Sequence, residues 1–219
     1  MLSYITLISC IIIIPLLYIG ILEYQKPFFK KEENQDRKLL KSKEEIIVLI
    51  LSEISFIRIW FLFEQATFKN YKFLLLFFML IGMTVLCMTD YWERIVPNKI
   101  LLIWLLIFGV IVGMWGLQDF AGFRQEIPNI ILGFVFCLIA FGTGYIIGKG
   151  SMGAGDVKLS FIMGLFLTGE YVVGAILYGC IISAVYSMIQ ILRKKLTRKD
   201  TLPFVPFLYI GLIIRYMIG

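Results

Sequence analysis

Apolar residues occur along this chain in long runs separated by short polar stretches, which is the pattern of helices that cross a lipid bilayer. About eight runs are long enough, or nearly so, to span the membrane: 1–22, 45–63, 72–89, 99–116, 128–147, 158–169, 170–191 and 203–218. The sixth run is short, and only the neighbourhood of Thr168, Gly169 and Glu170 separates it from the seventh. We expect these two runs to form a tight helical hairpin within an all-α polytopic membrane protein of about eight transmembrane helices.

The first two runs allow more than one interpretation. The run 45–63 is the weakest span, because Glu53 and Arg58 interrupt it and lie on different sides of a helix. It is either a span, which the charge pattern favours, or an amphipathic helix in the interface. The run 1–22 has no basic residue before its apolar core and no small-x-small cleavage site after Gly20, which favours an uncleaved anchor over a signal peptide.

The basic residues lie mostly on one side of the predicted topology. With the N-terminus outside, most of the 21 lysines and arginines fall in the inside segments, and cytoplasmic loops are enriched in such residues. This orientation places Asp90 and Asp156 on the cytoplasmic side, each at the inner end of a helix. The formal net charge of +6 follows from the same sidedness, so we expect no nucleic-acid partner.

Composition narrows the chemistry that the chain can perform. Only 16% of the residues are charged and 60% are hydrophobic, which excludes a soluble globule. The absence of histidine excludes Ser-His catalysis, HExxH zinc proteolysis and haem ligation by imidazole. Cys10, Cys87, Cys137 and Cys180 are scattered singly, without the spacing of a zinc pair or a disulfide framework. We therefore expect no metal and no cofactor.

Two aspartates, Asp90 and Asp156, lie where apolar helices should reach the membrane surface. A carboxylate at such a position costs free energy, so it is expected to have a function. Asp90 is followed by Pro97 and Asn98, which supply a turn and a helix start and are expected to hold the carboxylate at a water-accessible rim. Asp156 follows a glycine-rich run that permits a sharp bend and the close approach of another chain, and it opens the next helix. Each aspartate alone is typical of a solvated helix cap, but their combination is more specific.

A pair of aspartates suggests proteolysis if the two meet in the fold, since they could then share one proton. The ionised member would take a proton from the water that attacks the scissile carbonyl, while the protonated member would bind that carbonyl and later protonate the departing amine. The sequence leaves open which aspartate has which role. It also leaves open a small proton- or cation-coupled transporter, although we find no internal repeat to support one.

Three segments resemble the type IV prepilin peptidases: Asp90 with residues 95–98, residues 150–159, and residues 202–208. The resemblance covers roughly the last 150 residues. It implies an intramembrane aspartyl endopeptidase of the prokaryotic plasma membrane, which removes a short, basic, glycine-ending leader from type IV prepilins or pseudopilins at the cytoplasmic face. It further implies that the segment with Pro203 and Pro206 helps to line the active site. The resemblance assigns catalysis to Asp90 and Asp156 and a loop role to Gly153 and Gly155. Lys158 also matches, and it either orients the substrate or holds a lipid phosphate. We predict that the substrate is bound by Gly153, Gly155, Lys158, Pro97 and Asn98.

The chain departs from larger members of that family near its N-terminus. Such members resemble bifunctional enzymes whose cytoplasmic domain after the first helix often has paired cysteines that bind zinc. Residues 26–45 here contain no cysteine, so we expect peptidase action without N-methylation. We assign residues 1–71 to N-terminal helices with a short basic loop and 72–219 to a six-helix peptidase core. A catalytically inactive scaffold of pilus assembly is the remaining alternative, and the sequence does not indicate an oligomeric state.

Overall fold

The computed structural model describes residues 2–29, 42–63, 70–148, 153–195 and 202–218, and all regular structure in these ranges is helical. The predicted all-α class is therefore confirmed. Residues 30–41 of the polar segment and residues 150–152 of the glycine-rich motif lie outside the described residues. The helices are α1 (Leu2–Gln25), which continues into a 3₁₀ turn (Lys26–Phe28), α2 (Lys43–Leu62), α3 (Tyr71–Glu93), α4 (Asn98–Gln118), α5 (Phe120–Ile147, with a π-helical turn at Leu138–Gly142), α6 (Ala154–Leu192) and α7 (Val205–Ile218).

Four of these helices, α3 to α6, are long and apolar enough to cross a membrane. Residues 11–25 of α1 and the whole of α7 are shorter apolar helices. The class of helical membrane protein thus agrees with the sequence pattern. The count of eight spans, the spanning of α2 and the outside position of the N-terminus stay predictions.

Helix α3 forms the centre of the bundle, because nearly all of its side chains are buried and α1, α2, α4, α6 and α7 pack around it. Polar side chains of its neighbours bond to its backbone: the Trp104 indole of α4 donates to the carbonyl of Phe78 at 2.8 Å, and the Tyr216 hydroxyl of α7 donates to that of Leu76 at 3.2 Å. These bonds satisfy donors that would otherwise be unpaired in an apolar interior. Asp90 therefore lies near the end of the most enclosed helix.

Helix α6 is broken at Thr168, whose backbone is not helical (φ 56°, ψ 178°). The break lies beside the beginning of α3, since Thr168 and Lys72 line the same small cavity. Just beyond it, the carbonyl of Glu170 accepts a hydrogen bond from Arg215, near the end of α7, at 3.2 Å. Further along, Gly179 packs on Leu208, near the start of α7. The chain thus reverses at Thr168, as the predicted hairpin of the sixth and seventh runs requires.

Glycines allow both halves of α6 to pack closely on their neighbours. A Cβ atom on Gly164 would lie 2.6 Å from the carbonyl oxygen of Gly133 in α5, and one on Gly179 would lie 3.0 Å from the carbonyl oxygen of Phe207 in α7. Small residues at helix crossings are how membrane helices approach within van der Waals contact. These two crossings fix the first half of α6, which begins near Asp156, and the position of α7.

Candidate active site

Asp90 lies in the last turn of α3 and is only 5% exposed. The helix ends three residues later, where Arg94 adopts a left-handed conformation (φ 55°) and donates its backbone N–H to the carbonyl of Asp90 at 2.9 Å. This cap turns the chain into the loop that leads to Pro97 and α4. The expected water-accessible position of the Asp90 carboxylate is wrong, because the start of another helix covers it.

That covering helix is α7. Its first residue, Val205, donates its backbone N–H to Oδ2 of Asp90 at 3.0 Å, a buried bond between residues 115 positions apart. The first amides of a helix have no partner within the helix, so a carboxylate at this position satisfies one of them. The segment with Pro203 and Pro206 therefore lies against the carboxylate of Asp90, next to the site that the resemblance implied it would line.

Replacing Val205 by proline tests this contact. Proline is well tolerated at the first position of a helix, yet it has no N–H to donate to Asp90. We expect the free energy that stabilises the transition state to fall by about 1.5–3 kcal/mol, the usual contribution of a hydrogen bond to a charged group. The kcat/KM for peptide cleavage should therefore be roughly tenfold to hundredfold lower. Val205→Ala keeps the N–H and is the matched control. Equal loss in both variants would show that the side chain, rather than the hydrogen bond, matters.

Asp156 is the second carboxylate of the site. It lies in the first turn of α6, its N–H donates to the carbonyl of Gly153 at 3.0 Å, and its side chain is half-buried. The two carboxylates are near enough to interact electrostatically, although 66 residues separate them in the chain. The structure thus brings the two predicted aspartates into one site.

The loop after α3 and the start of α6 are also joined by polar side chains. The Lys158 ammonium donates to Oδ1 of Asn98 at 3.0 Å, and both residues are exposed. Lys158 is two residues from Asp156 along the same helix, so this bond ties the aspartate's helix to the first residue of α4. Four of the predicted site residues are therefore linked in two pairs: Asp90 and Asp156 interact electrostatically, and Lys158 bonds to Asn98.

Gly155 lets the two segments approach closely. A Cβ atom at this position would lie 2.9 Å from Cβ of Val96, which is closer than side-chain atoms normally come. Neither Gly153 nor Gly155 has a positive φ, and the helix already includes Gly155. The sequence suggests two reasons for the glycines, a sharp bend and the close approach of another chain. Close approach applies here, and the segment that approaches is the protein's own loop before Pro97.

A cavity of about 560 Å³ opens beside this site between α1, the end of α3 and the start of α4. Sequence reasoning missed it, although Glu93 follows Asp90 by three residues and so had to share its helix face. The cavity is lined by Gly20, Ile21, Tyr24, Gln25, Phe29, Thr89, Glu93, Ile95, Pro97, Asn98, Lys99, Ile100, Ile103 and Trp104.

Within the described ranges, no group of three or more cysteine, aspartate or glutamate side chains is arranged to hold a metal ion. Cys87, Cys137 and Cys180 are single free thiols. The chemistry that this arrangement can support is acid–base chemistry by two carboxyl groups at one end of a helical bundle.

The fold and the site define a polytopic helical membrane protein with two aspartates that interact electrostatically near one end of its central helix. The model of the type IV leader peptidase family matches residues 77–188, about half of the chain, and this range includes both aspartates. The chain belongs to the type IV leader peptidase family.

Curated relatives agree with this membership over part of their length. The chain is 26% identical over 136 residues to a prepilin leader peptidase/N-methyltransferase of Bacillus subtilis, a match that covers 62% of this chain and 52% of that protein. It is 30% identical over 108 residues to the protein of the same name from Burkholderia pseudomallei strain 1026b, covering 49% of this chain and 34% of that protein. The matches thus span about half or less of these relatives. No solved structure matches the chain significantly.

Proposed function

We propose that this protein is an intramembrane aspartyl endopeptidase that cleaves the leader peptide of type IV prepilins or pseudopilins. The observation that carries the proposal is the electrostatic interaction between Asp90, near the end of α3, and Asp156, in the first turn of α6, which come from two separate motifs. Membership of the type IV leader peptidase family supports the same reaction. In this proposal, residues 72–219 form the peptidase core and α1 and α2 pack on it through α3 and α7.

The two carboxyl groups divide the work of an acid and a base. In this proposal the two carboxyl groups share one proton, because two neighbouring negative charges repel each other. The ionised carboxylate removes a proton from a water molecule as that water attacks the scissile carbonyl. The protonated carboxyl donates to the carbonyl oxygen and then transfers its proton to the departing amine, so the peptide C–N bond breaks and one water is consumed.

The surroundings of the pair suit a peptide in extended conformation. Gly153 is exposed at the start of α6, so no side chain there blocks a strand that approaches Asp156. Asp156 is half-buried and so more accessible to water than Asp90. Lys158, Asn98 and Pro97 then lie along the path of the substrate.

The proposal includes the face of the membrane on which cleavage takes place. With the N-terminus outside, the basic loops face the cytoplasm of a prokaryotic cell, and the aspartates lie at that face of the plasma membrane. The substrate leader is thus cleaved on the cytoplasmic side.

The test is digestion of candidate pilin precursors by the wild-type protein in proteoliposomes, followed by sequencing and mass measurement of the product. We expect one cut after the glycine that ends the leader, with an unmethylated new N-terminus. Cleavage of none of the precursors, combined with proton or cation flux through the same vesicles, would instead favour the transporter.

A further inference from the structure

The cavity beside Asp90 contains buried hydrogen-bond acceptors. Glu93 is 8% exposed and Gln25 is 6% exposed, and both line the cavity. Among the residues that the structure describes, Oε1 of Gln25 has no hydrogen-bond partner. A buried acceptor without a partner costs free energy, and native proteins rarely retain one without a reason. A donor from a bound molecule would satisfy it.

The remaining lining restricts what that molecule can be. Asn98 and Lys99, which carry donors, are exposed, whereas the acceptors Gln25 and Glu93 are buried. A molecule that fits has three parts: a cationic end that reaches the buried acceptors, an alkyl stem, and carbonyl groups that accept from the exposed donors. A lysine or arginine side chain on a peptide has these three parts in this order. An acyl chain would leave Oε1 of Gln25 without a donor. The apolar walls are formed by Ile21, Phe29, Ile95, Ile100, Ile103 and Trp104.

The wall of the cavity includes residues that adjoin the candidate active site. Thr89 and Glu93 are on α3 on either side of Asp90, and the cavity wall includes Pro97 and Asn98, the residue that bonds to Lys158. A peptide held at the aspartates therefore has one of its side chains within reach of the cavity.

We propose that this cavity is a specificity subsite for a lysine or arginine side chain of the peptide substrate, with Glu93 and Gln25 accepting hydrogen bonds from its cationic group. The proposal rests on the proposed peptidase function. Glu93 supplies the complementary charge, and Gln25 supplies an acceptor that has no partner within the described part of the chain.

The test combines substitutions in the protein and in the substrate. Glu93→Gln removes the charge at nearly constant size, and we expect KM for a precursor peptide to rise roughly tenfold, since a hydrogen bond to a charged group is lost. Replacing each lysine or arginine around the scissile bond by norleucine, one at a time, should identify one residue with the same effect. The two changes together should then raise KM little further than either alone.

Two further variants separate recognition from structure. Glu23→Gln is the matched control, because Glu23 is an exposed carboxylate at the same end of α1 that pairs with Lys26 and does not line the cavity. It should leave KM unchanged. Gln25→Leu should raise KM while leaving the melting temperature equal or higher, because it removes a buried acceptor without a partner. A lowered melting temperature with unchanged KM would overturn the role of Gln25.

Binding to the Asp156→Asn variant distinguishes failure of the subsite from failure of the peptidase. The same peptide with lysine and with norleucine is titrated against Asp156→Asn and against Asp156→Asn combined with Glu93→Gln. Tighter binding of the lysine peptide that disappears with Glu93→Gln supports the subsite, even if the wild type cleaves nothing. Equal affinity for both peptides overturns the subsite, even if the wild type cleaves every precursor.

Discussion

Replacing either aspartate by asparagine is expected to reduce leader cleavage by roughly a hundredfold to ten-thousandfold, the range that a positioned acid or base contributes. Asparagine keeps the size of the side chain, and its Oδ1 can still accept the Val205 N–H that Asp90 receives at 3.0 Å. It cannot gain or lose a proton in the reaction. We therefore expect Asp90→Asn and Asp156→Asn to fold and to bind substrate while turnover fails, as single-turnover kinetics in liposomes would report.

Asp119→Asn is the matched control for that loss. Asp119 precedes α5, and its side chain accepts a hydrogen bond from the backbone of Gly122 at 3.0 Å, a capping role that asparagine can also fill. Its turnover should equal that of the wild type. Retention of more than a tenth of wild-type turnover in Asp156→Asn would exclude the paired mechanism.

Replacing Gly155 by alanine should reduce cleavage by roughly tenfold to a hundredfold, because small displacements of reacting groups have large effects on rate. The added Cβ atom would lie 2.9 Å from Cβ of Val96, so the loop before Pro97 and the start of α6 must separate. Separation moves Asp156 away from Asp90. Alanine is a better helix former than glycine, so the loss would not come from a weaker helix.

Two comparisons identify the cause of that loss. Gly113→Ala makes the same substitution within α4, where a Cβ atom would meet nothing within 4 Å, and should retain full activity. Val96→Gly removes the atom that the new methyl group meets, so the double variant with Gly155→Ala should recover part of the activity. If the double variant is no more active than Gly155→Ala alone, the contact between these residues is not the reason for the glycine.

The helical class and the choice of Asp90 and Asp156 as candidate site residues can be predicted from the sequence, because both depend on local patterns. Runs of apolar residues define α3 to α6, and the neighbourhood of Thr168 marks the reversal within α6. The burial of Asp90 could not be predicted, since the Val205 amide that covers it is 115 residues away and no periodicity connects them.

The cavity could not be predicted from the sequence for a similar reason. Its buried acceptors, Gln25 and Glu93, come from helices that are distant in sequence, and only packing of α1 on α3 brings them together. Glutamate one turn after Asp90 is visible in the sequence, but a single acidic residue at a helix end is usually a solvated one. The sequence predicts that some segment approaches the glycines closely, but it does not identify Val96 as the residue that approaches Gly155.

The pairing of the aspartates is tested most directly by a precursor peptide in which a hydroxyethylene group replaces the scissile amide. Its hydroxyl-bearing carbon mimics the tetrahedral intermediate, so both carboxyl groups should bind it more tightly than they bind the parent peptide. Affinities are measured for the wild type, Asp90→Asn and Asp156→Asn. We predict tighter binding than the parent peptide in the wild type, and loss of that advantage in each variant. Equal affinity of the analogue for all three proteins would contradict catalysis by the aspartate pair.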